Sequence, residues 1–233
     1  MVLRLNMAPE EVFPGIFRLE VDSKAVLATR NMTPGRKVYG EQLVDVEGVE
    51  YRIWNPYRSK LAAAVLKGLV ESPLSIGDRV LYLGVASGTT CSHISDVVGP
   101  KGYIWGVDFA PRSLRDLVSN VARYRLNISP ILGDARDPAS YSAEVQRVDV
   151  LYADVAQPAQ AEIVVKNAEM YLRQGGRLAM AIKSRSVNVT RSPREVYSDQ
   201  VGVLDGGGFT IEEVLELEPY EKDHAMVTAT YRA

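Results

Sequence analysis

The sequence predicts an α/β protein. A doubly wound, mostly parallel sheet of seven strands ends in an antiparallel edge hairpin, and a small antiparallel β domain precedes it. Three observations carry this. From residue 79 onward short apolar runs alternate with helical stretches, the pattern of strands joined by helical crossovers. The last two apolar runs, Phe209 to Leu217 and Ala225 to Tyr231, are separated by a charged turn too short for a helix, so they pair antiparallel. Residues 1–57 instead hold short branched and aromatic runs cut by Pro14, Pro34-Gly35 and Glu47-Gly48, as hairpins are. The expected division is therefore 1–57 and 58–233.

In the first part, Gly15 to Val21, Lys24 to Arg30 and Val49 to Trp54 read as strands. Asn55-Pro56 punctuates the chain, and the Ala/Leu-rich stretch Arg58 to Glu71 reads as a helix closed by Pro73. Arg79 to Leu83 is an apolar strand that enters a Gly/Ser/Thr loop and then a helix to Val98. Tyr103 to Val107 is the next strand. Pro111 to Tyr124 is a helix with proline in its first turn, where the missing N–H costs nothing. Ile128 to Leu132 and Val148 to Ala153 are strands, and Ala159 to Leu172 is a helix stopped by Gly175-Gly176. Arg177 to Ile182 is a strand, and Pro193 to Leu204 is a helix stopped by Gly206-Gly207-Gly208.

At 233 residues the chain can bury roughly 70–75% of its unfolded surface and needs no covalent staple. Apolar residues at 46% and charged residues at 24% are ordinary for a soluble protein. The longest charge-free stretch, Val80 to Ser95, is too short and polar to cross a bilayer. No basic-then-apolar leader opens the sequence, so secretion is not expected. The single cysteine, Cys91, excludes an internal disulfide and a cysteine metal cage. A reduced, cytoplasmic setting is the expectation. No His/Asp/Glu cluster has metal-ligand spacing, so no metal is expected. The net charge of −2 excludes little about nucleic acid, because local patches matter more than totals.

Doubly wound sheets bind ligands beyond the carboxyl ends of their strands. The first such strand enters Gly84-Val85-Ala86-Ser87-Gly88-Thr89-Thr90. Gly84 permits a tight turn, and the amides opening the next helix can receive a carboxylate or phosphate. Asp108 ends the second strand, where an acid can accept both hydroxyls of a ribose. Ala86 and Thr89 occupy the second and third glycine positions of a dinucleotide fingerprint, no Gly-Lys-Ser/Thr follows, and Ser87 falls one residue late for a nucleophile elbow. A ribose-binding acid without a diphosphate cradle suits S-adenosylmethionine. The bland alternative is a plain strand-to-helix turn. Asp134 and Asp154 end the third and fourth strands; each alone could be a turn or helix cap, but three acids at successive strand ends on one sheet edge suggest a site.

Several segments closely resemble the fibrillarin family. They are Leu81 to Thr90 (LYLGVASGTT), Val107 to Ser113 (VDFAPRS), Leu132 to Pro138 (LGDARDP) and Ala153 to Pro158 (ADVAQP). Trp54 to Ala64 (WNPYRSKLAAA), Ile182 to Arg185 (IKSR) and Glu221 to Met226 (EKDHAM) match as well. The resemblance covers nearly the whole chain. The Gly/Arg-rich tail of eukaryotic members is not in this sequence, so the archaeal form is expected. The resemblance implies a Rossmann-like S-adenosylmethionine-dependent methyltransferase fold and methylation of RNA ribose 2′-hydroxyls in rRNA and tRNA. It implies work inside box C/D ribonucleoproteins, with a guide RNA, a Nop-domain scaffold and a kink-turn-binding protein as partners. It places the amino-acid end of the cofactor near Ala86, Thr89 and Thr90, ribose on Asp108, and adenine beside Phe109 with Asp134 and Ala135 at its edge. Asp154 and Gln157 fall near the sulfonium. It also implies a catalytic set of Lys60, Asp154, Lys183 and His224.

The chemistry is consistent. A 2′-hydroxyl must lose its proton as the methyl group arrives. Lys183 ends an apolar strand at the ligand edge, and Lys60 could serve as its cationic neighbour. Taken without the resemblance, Lys183 reads equally as a solvated strand-end charge, Lys60 as an exposed first-turn residue, and His224 as a cap or solvent-facing side chain. His93 reads as structural or exposed, and Cys91 as packing. Lys183, Arg185, Arg191 and Arg194 form a run without an acid, followed by Asp205 to Asp223 with seven acids and one lysine. The basic run, with Arg58, is where RNA phosphates would pass. A methyltransferase for small molecules or proteins, a structural subunit and a nicotinamide-binding protein are the competing readings. No base-reading module is present.

Overall fold

The computed structural model of the chain describes residues 3–5, 8–188 and 190–232. Two sheets make up the molecule. The first contains β1 (Leu3–Leu5), β2 (Glu10–Phe13), β3 (Ile16–Val21), β4 (Lys24–Arg30), β5 (Leu43–Val46) and β6 (Val49–Ile53), in the order β1-β5-β6-β4-β3-β2. Asp22-Ser23 and Glu47-Gly48 all have positive φ and close the β3–β4 and β5–β6 hairpins as two-residue turns matched to strand twist. The sheet is antiparallel as expected, except that β1 joins β5 in parallel. It also has more strands than the three runs read from sequence, because β2 and β5 are only 4 residues each, too short to show an alternation.

A 3₁₀ turn, Pro56–Arg58, leads into α1 (Lys60–Leu66), capped by the Ser59 hydroxyl. The helix is shorter than the expected 58–71, because Gly68 takes a left-handed φ of 94° and ends it. The second sheet follows. It runs β7 (Arg79–Leu83), α2 (Thr89–Val98), β8 (Tyr103–Asp108), α3 (Pro111–Asn120), β9 (Ile128–Leu132), β10 (Val148–Ala153) and α4 (Gln160–Tyr171). Then come β11 (Leu172–Lys183), the single turn α5 (Ser184–Val187), α6 (Pro193–Gly206), β12 (Phe209–Glu216) and β13 (His224–Tyr231). The order is β12-β13-β11-β10-β7-β8-β9, parallel except for β13, which runs antiparallel to β11 and β12. Gly175-Gly176, read as a helix stop, lies inside β11 instead.

Strand alternation sorts the core into two layers. Leu151, Ala153, Met180 and Ile182 face Ile163, Val196 and Leu204 of α4 and α6. Val150, Tyr152, Ala179 and Ala181 face Leu61, Ile94 and Leu117 of α1, α2 and α3. Among the described residues no helix is long and apolar enough to cross a membrane, and no group of three or more His, Cys, Asp or Glu could hold a metal.

A buried polar network joins the first sheet to α2. Asp96 accepts from Arg52 at 2.8 Å, from Thr29 at 2.8 Å and from the Met32 amide at 3.0 Å, and it also pairs with Arg125. Arg52 bonds Glu41 as well, at 2.7 Å. His93 is fully buried here, with Nδ1 2.8 Å from the Thr29 hydroxyl, Nε2 2.8 Å from the Tyr39 hydroxyl, and Trp54 stacked on its ring. Burial, reinforced by Arg52 and Arg125, holds His93 well below the usual histidine range and keeps it neutral. Cys91 is packing, as expected: burial pushes its thiol up to about 12.

Candidate active site

The site is built where β7, β8, β9 and β10 end. Asp154 leaves β10 by donating its amide to Leu83 of β7 at 2.9 Å. A Cβ on Gly84 would sit 2.4 Å from the Asp154 carbonyl oxygen, and Gly84 has φ +77°. Only glycine allows this approach. The Ala86 amide donates to Asp108 Oδ2 at 2.9 Å, and the Ala110 amide to Oδ1 at 2.8 Å. Asp108 therefore braces both the glycine loop and the start of α3, with lone pairs to spare for a ligand.

A cavity of ≈ 220 Å³ opens beyond these strand ends. Gly84 and Ala86 line it after β7, Asp108 and Phe109 at the end of β8, Asp134 and Ala135 after β9, and Asp154 and Gln157 after β10. Phe109 is 65% exposed, so a ring face is open beside Asp108. Thr89 and Thr90 do not line this cavity. Thr90 is buried, and its hydroxyl donates to Ser59 Oγ at 3.1 Å, tying α2 to the cap of α1. Thr89 opens α2 and contributes its carbonyl to Ser92. Asp134, expected at an adenine edge, is gripped by Arg136 through both carboxylate oxygens, which holds it below the usual carboxylate range.

Lys60 Nζ lies 2.8 Å from Asp154 Oδ2, with the two side chains 18% and 27% exposed. Lys60 is thus partnered at the cavity rim, not the solvated first-turn residue its position on a helix suggested. Lys183 ends β11 opposite His224 of β13. The Lys183 amide points instead to Gln160 Oε1, at 3.2 Å. This makes Lys183–His224 a non-hydrogen-bonded pair, the kind whose side chains stand closest. Ala181 and Met226, two residues inward on each strand, lie in the α1-side core. Alternation therefore puts Lys183 and His224 on that same face, and Asp154 follows Tyr152 onto it as well. His224 Nδ1 lies 2.7 Å from the Lys222 carbonyl. A carbonyl only accepts, so Nδ1 carries the proton and Nε2 is the acceptor in the neutral ring. Among the described residues no hydrogen bond or ion pair joins the Lys183 ammonium to the Lys60–Asp154 pair.

The basic run differs from its charge count. Arg185 pairs with Asp223 at 3.0 Å, Arg191 with Asp199, and Arg194 with Glu216 at 2.8 Å. Two of these acids come from the acidic segment that follows. Arg58 is exposed and stands apart, its guanidinium 5.3 Å from the Tyr39 ring. Gln160, bonded to the Lys183 amide, and Ser59, bonded to Thr90, tie these elements together. Neither carries a charge, and nothing in their local pattern marks them.

The strand order, the edge hairpin and the cavity beyond the first parallel strand define a Rossmann-like methyltransferase of the S-adenosylmethionine-dependent class. The fibrillarin family model matches residues 7–233, and the chain belongs to the fibrillarin family. A fibrillarin-like rRNA/tRNA 2′-O-methyltransferase of Aeropyrum pernix is 53% identical over 233 residues, covering 100% of both chains. The crystal structure of Aeropyrum pernix fibrillarin with natively bound S-adenosyl-L-methionine superposes with a TM-score of 0.91 at 53% identity, covering 98% of this chain and 100% of that one. The structure of a fibrillarin/Nop5p complex matches with a TM-score of 0.85 at 39% identity, covering 96% and 100%.

Proposed function

We propose that this chain transfers the methyl group of S-adenosylmethionine to ribose 2′-hydroxyls of rRNA and tRNA. It does so at nucleotides chosen by a box C/D guide RNA, as the catalytic subunit of that ribonucleoprotein. The carrying observation is the convergence of the Lys60–Asp154 pair, at the cavity rim, with Lys183 and His224 on one face of the sheet. Partnership with a Nop-domain scaffold is supported by the fibrillarin/Nop5p relative, and a kink-turn-binding protein completes the particle.

The residues fit the cofactor. Asp108 offers carboxylate lone pairs to a ribose, the exposed Phe109 ring offers a face to adenine, and Asp154 and Gln157 line the same cavity after β10. When bound, the cofactor supplies an electrophilic methyl group on a sulfonium. Asp154 holds Lys60 with Oδ2 and places negative charge beside the sulfonium. Lys60, already paired, remains the cation that orients this carboxylate. Lys183 takes the 2′-hydroxyl proton, favoured by the desolvation that RNA imposes on its amine. His224 stands beside it with Nε2 as a second acceptor. A positioned base contributes roughly 10²–10⁴-fold, and in-line orientation of the hydroxyl adds to that.

Selection of the target comes from outside the chain, since a ribose hydroxyl is common to every nucleotide and phosphate contacts carry no sequence information. The test incubates the chain with labelled donor and target RNA, then maps methylated positions with and without guide RNA and scaffold. Methylation of the guide-specified nucleotide only in the assembled particle is expected. Efficient methylation of one defined nucleotide by the isolated chain would replace this reading with a stand-alone enzyme.

A further inference from the structure

We infer that Gln160 is a positioning residue for methyl transfer, holding the strand end that carries Asp154 at a fixed spacing from the strand end that carries Lys183. The inference rests on the roles proposed above for those two residues. β10 and β11 pair in parallel as far as Ala153 and Met180. There they part. Asp154 bonds towards β7, while β11 runs on to Lys183 with only β13 beside it. The two strands diverge where each delivers a side chain to the site, so no backbone ladder sets that gap.

Gln160, the first residue of α4, fills it and is fully buried. Its Nε2 donates to the Val155 carbonyl, one residue beyond Asp154, and its Oε1 accepts from the Lys183 amide at 3.2 Å. One carboxamide thus does what a further peptide group of β10 would have done. Its own base is secured, because the next amide, Ala161 N–H, donates to the buried Gln200 Oε1 at 3.0 Å. Without Gln160, the Lys183 N–H would be left without a partner on the side that β10 has vacated. An unpaired amide in this part-buried position is costly, so the strand end would shift to satisfy it. A displacement of about 1 Å at a reacting group can cost roughly 10²-fold in rate.

Two variants test this in the assembled guide particle. Gln160→Leu removes both bonds. Gln160→Glu keeps the shape and the acceptor for Lys183 but opposes the Val155 carbonyl, and it serves if the leucine variant does not fold. Three quantities are read well below the unfolding midpoint: single-turnover methyl transfer at saturating donor and RNA, donor affinity by calorimetry, and the rate in a Lys183→Met background. The expected result is a ten- to hundredfold slower transfer with donor affinity within threefold of wild type. In the Lys183→Met background no further loss is expected, since placing an absent side chain has no effect. Single-turnover rates within threefold of wild type, a defect confined to donor affinity, or losses that simply add to Lys183→Met would each overturn the inference. A wild-type particle that fails to methylate RNA would overturn the proposed function instead, so the two failures are distinguishable.

Discussion

Asp96 and Asp154 both hold cations, in opposite surroundings. Asp96 is fully buried between two equally buried arginines, Arg52 and Arg125, and its remaining lone pairs go to Thr29 and the Met32 amide. Asp154 lies at a cavity rim, shares one oxygen with Lys60, and keeps a quarter of its side chain exposed. Burying ions is expensive unless every lone pair is met, so the Asp96 network is complete and has no capacity left for a ligand. The rim can remain incomplete because water covers what protein does not. The same pairing of carboxylate and cation therefore welds two sheets in one place and leaves a reactive edge in the other.

The sharpest way to break this comparison is Asp96→Ala. It leaves Arg125 buried without a counter-charge and Arg52 with Glu41 alone, and should cost about 3–5 kcal/mol, measured by chemical denaturation. A loss under about 1 kcal/mol would mean that the network is ornamental to stability. Lys183→Met should do the reverse. Single-turnover methylation should fall roughly 10²–10⁴-fold, while the denaturation midpoint stays close to wild type. A variant that unfolds would place Lys183 with Asp96 rather than with Asp154.

His93 sharpens the contrast through pH. Its pKa is depressed in the folded chain by burial, then by Arg52 and Arg125. Below the unfolded value of about 6.5, the unfolded chain binds a proton that the folded one refuses. Stability should therefore fall as pH drops from 7 to 5, by at most about 1.4 kcal/mol per unit from this group. His93→Gln should flatten that part of the profile; an unchanged slope would assign it to other groups. The smallest effect is expected at Arg194→Ala. Its exposed pair with Glu216 should contribute less than about 1 kcal/mol to stability, whereas the salt dependence of RNA binding should lose about one unit of slope if Arg194 meets a phosphate. An unaltered slope would show that the arginine serves Glu216 alone.

Much of the site edge was legible because strand-end chemistry is local. Gly84, Asp108 and Asp154 announce themselves by residue type at the ends of apolar runs, and all line the cavity. The Thr90–Ser59 bond was not legible, because Ser59 reaches Thr90 from another element. The acids paired with Arg185, Arg191 and Arg194 were not legible for a related reason: charge counted along the chain says nothing about acids brought in by other elements. Gln160 was silent, since an uncharged side chain that bonds only backbone leaves no pattern to read.

By itself, the sequence determined the strand–helix alternation, the antiparallel final hairpin, the glycine turn after β7 and the resemblance to fibrillarin. Each depends on residues that are neighbours in the chain: a period of two or 3.6, a glycine's freedom at positive φ, a motif read in order. Only the tertiary structure decided which groups meet. Lys60 finds Asp154 across 94 positions, Arg52 finds Asp96 across 44, and the Gln160 amide finds Lys183 across 23. Hydrogen bonds and ion pairs act over a few ångströms, and chain separation does not encode such distances until the sheet has brought its strand ends together.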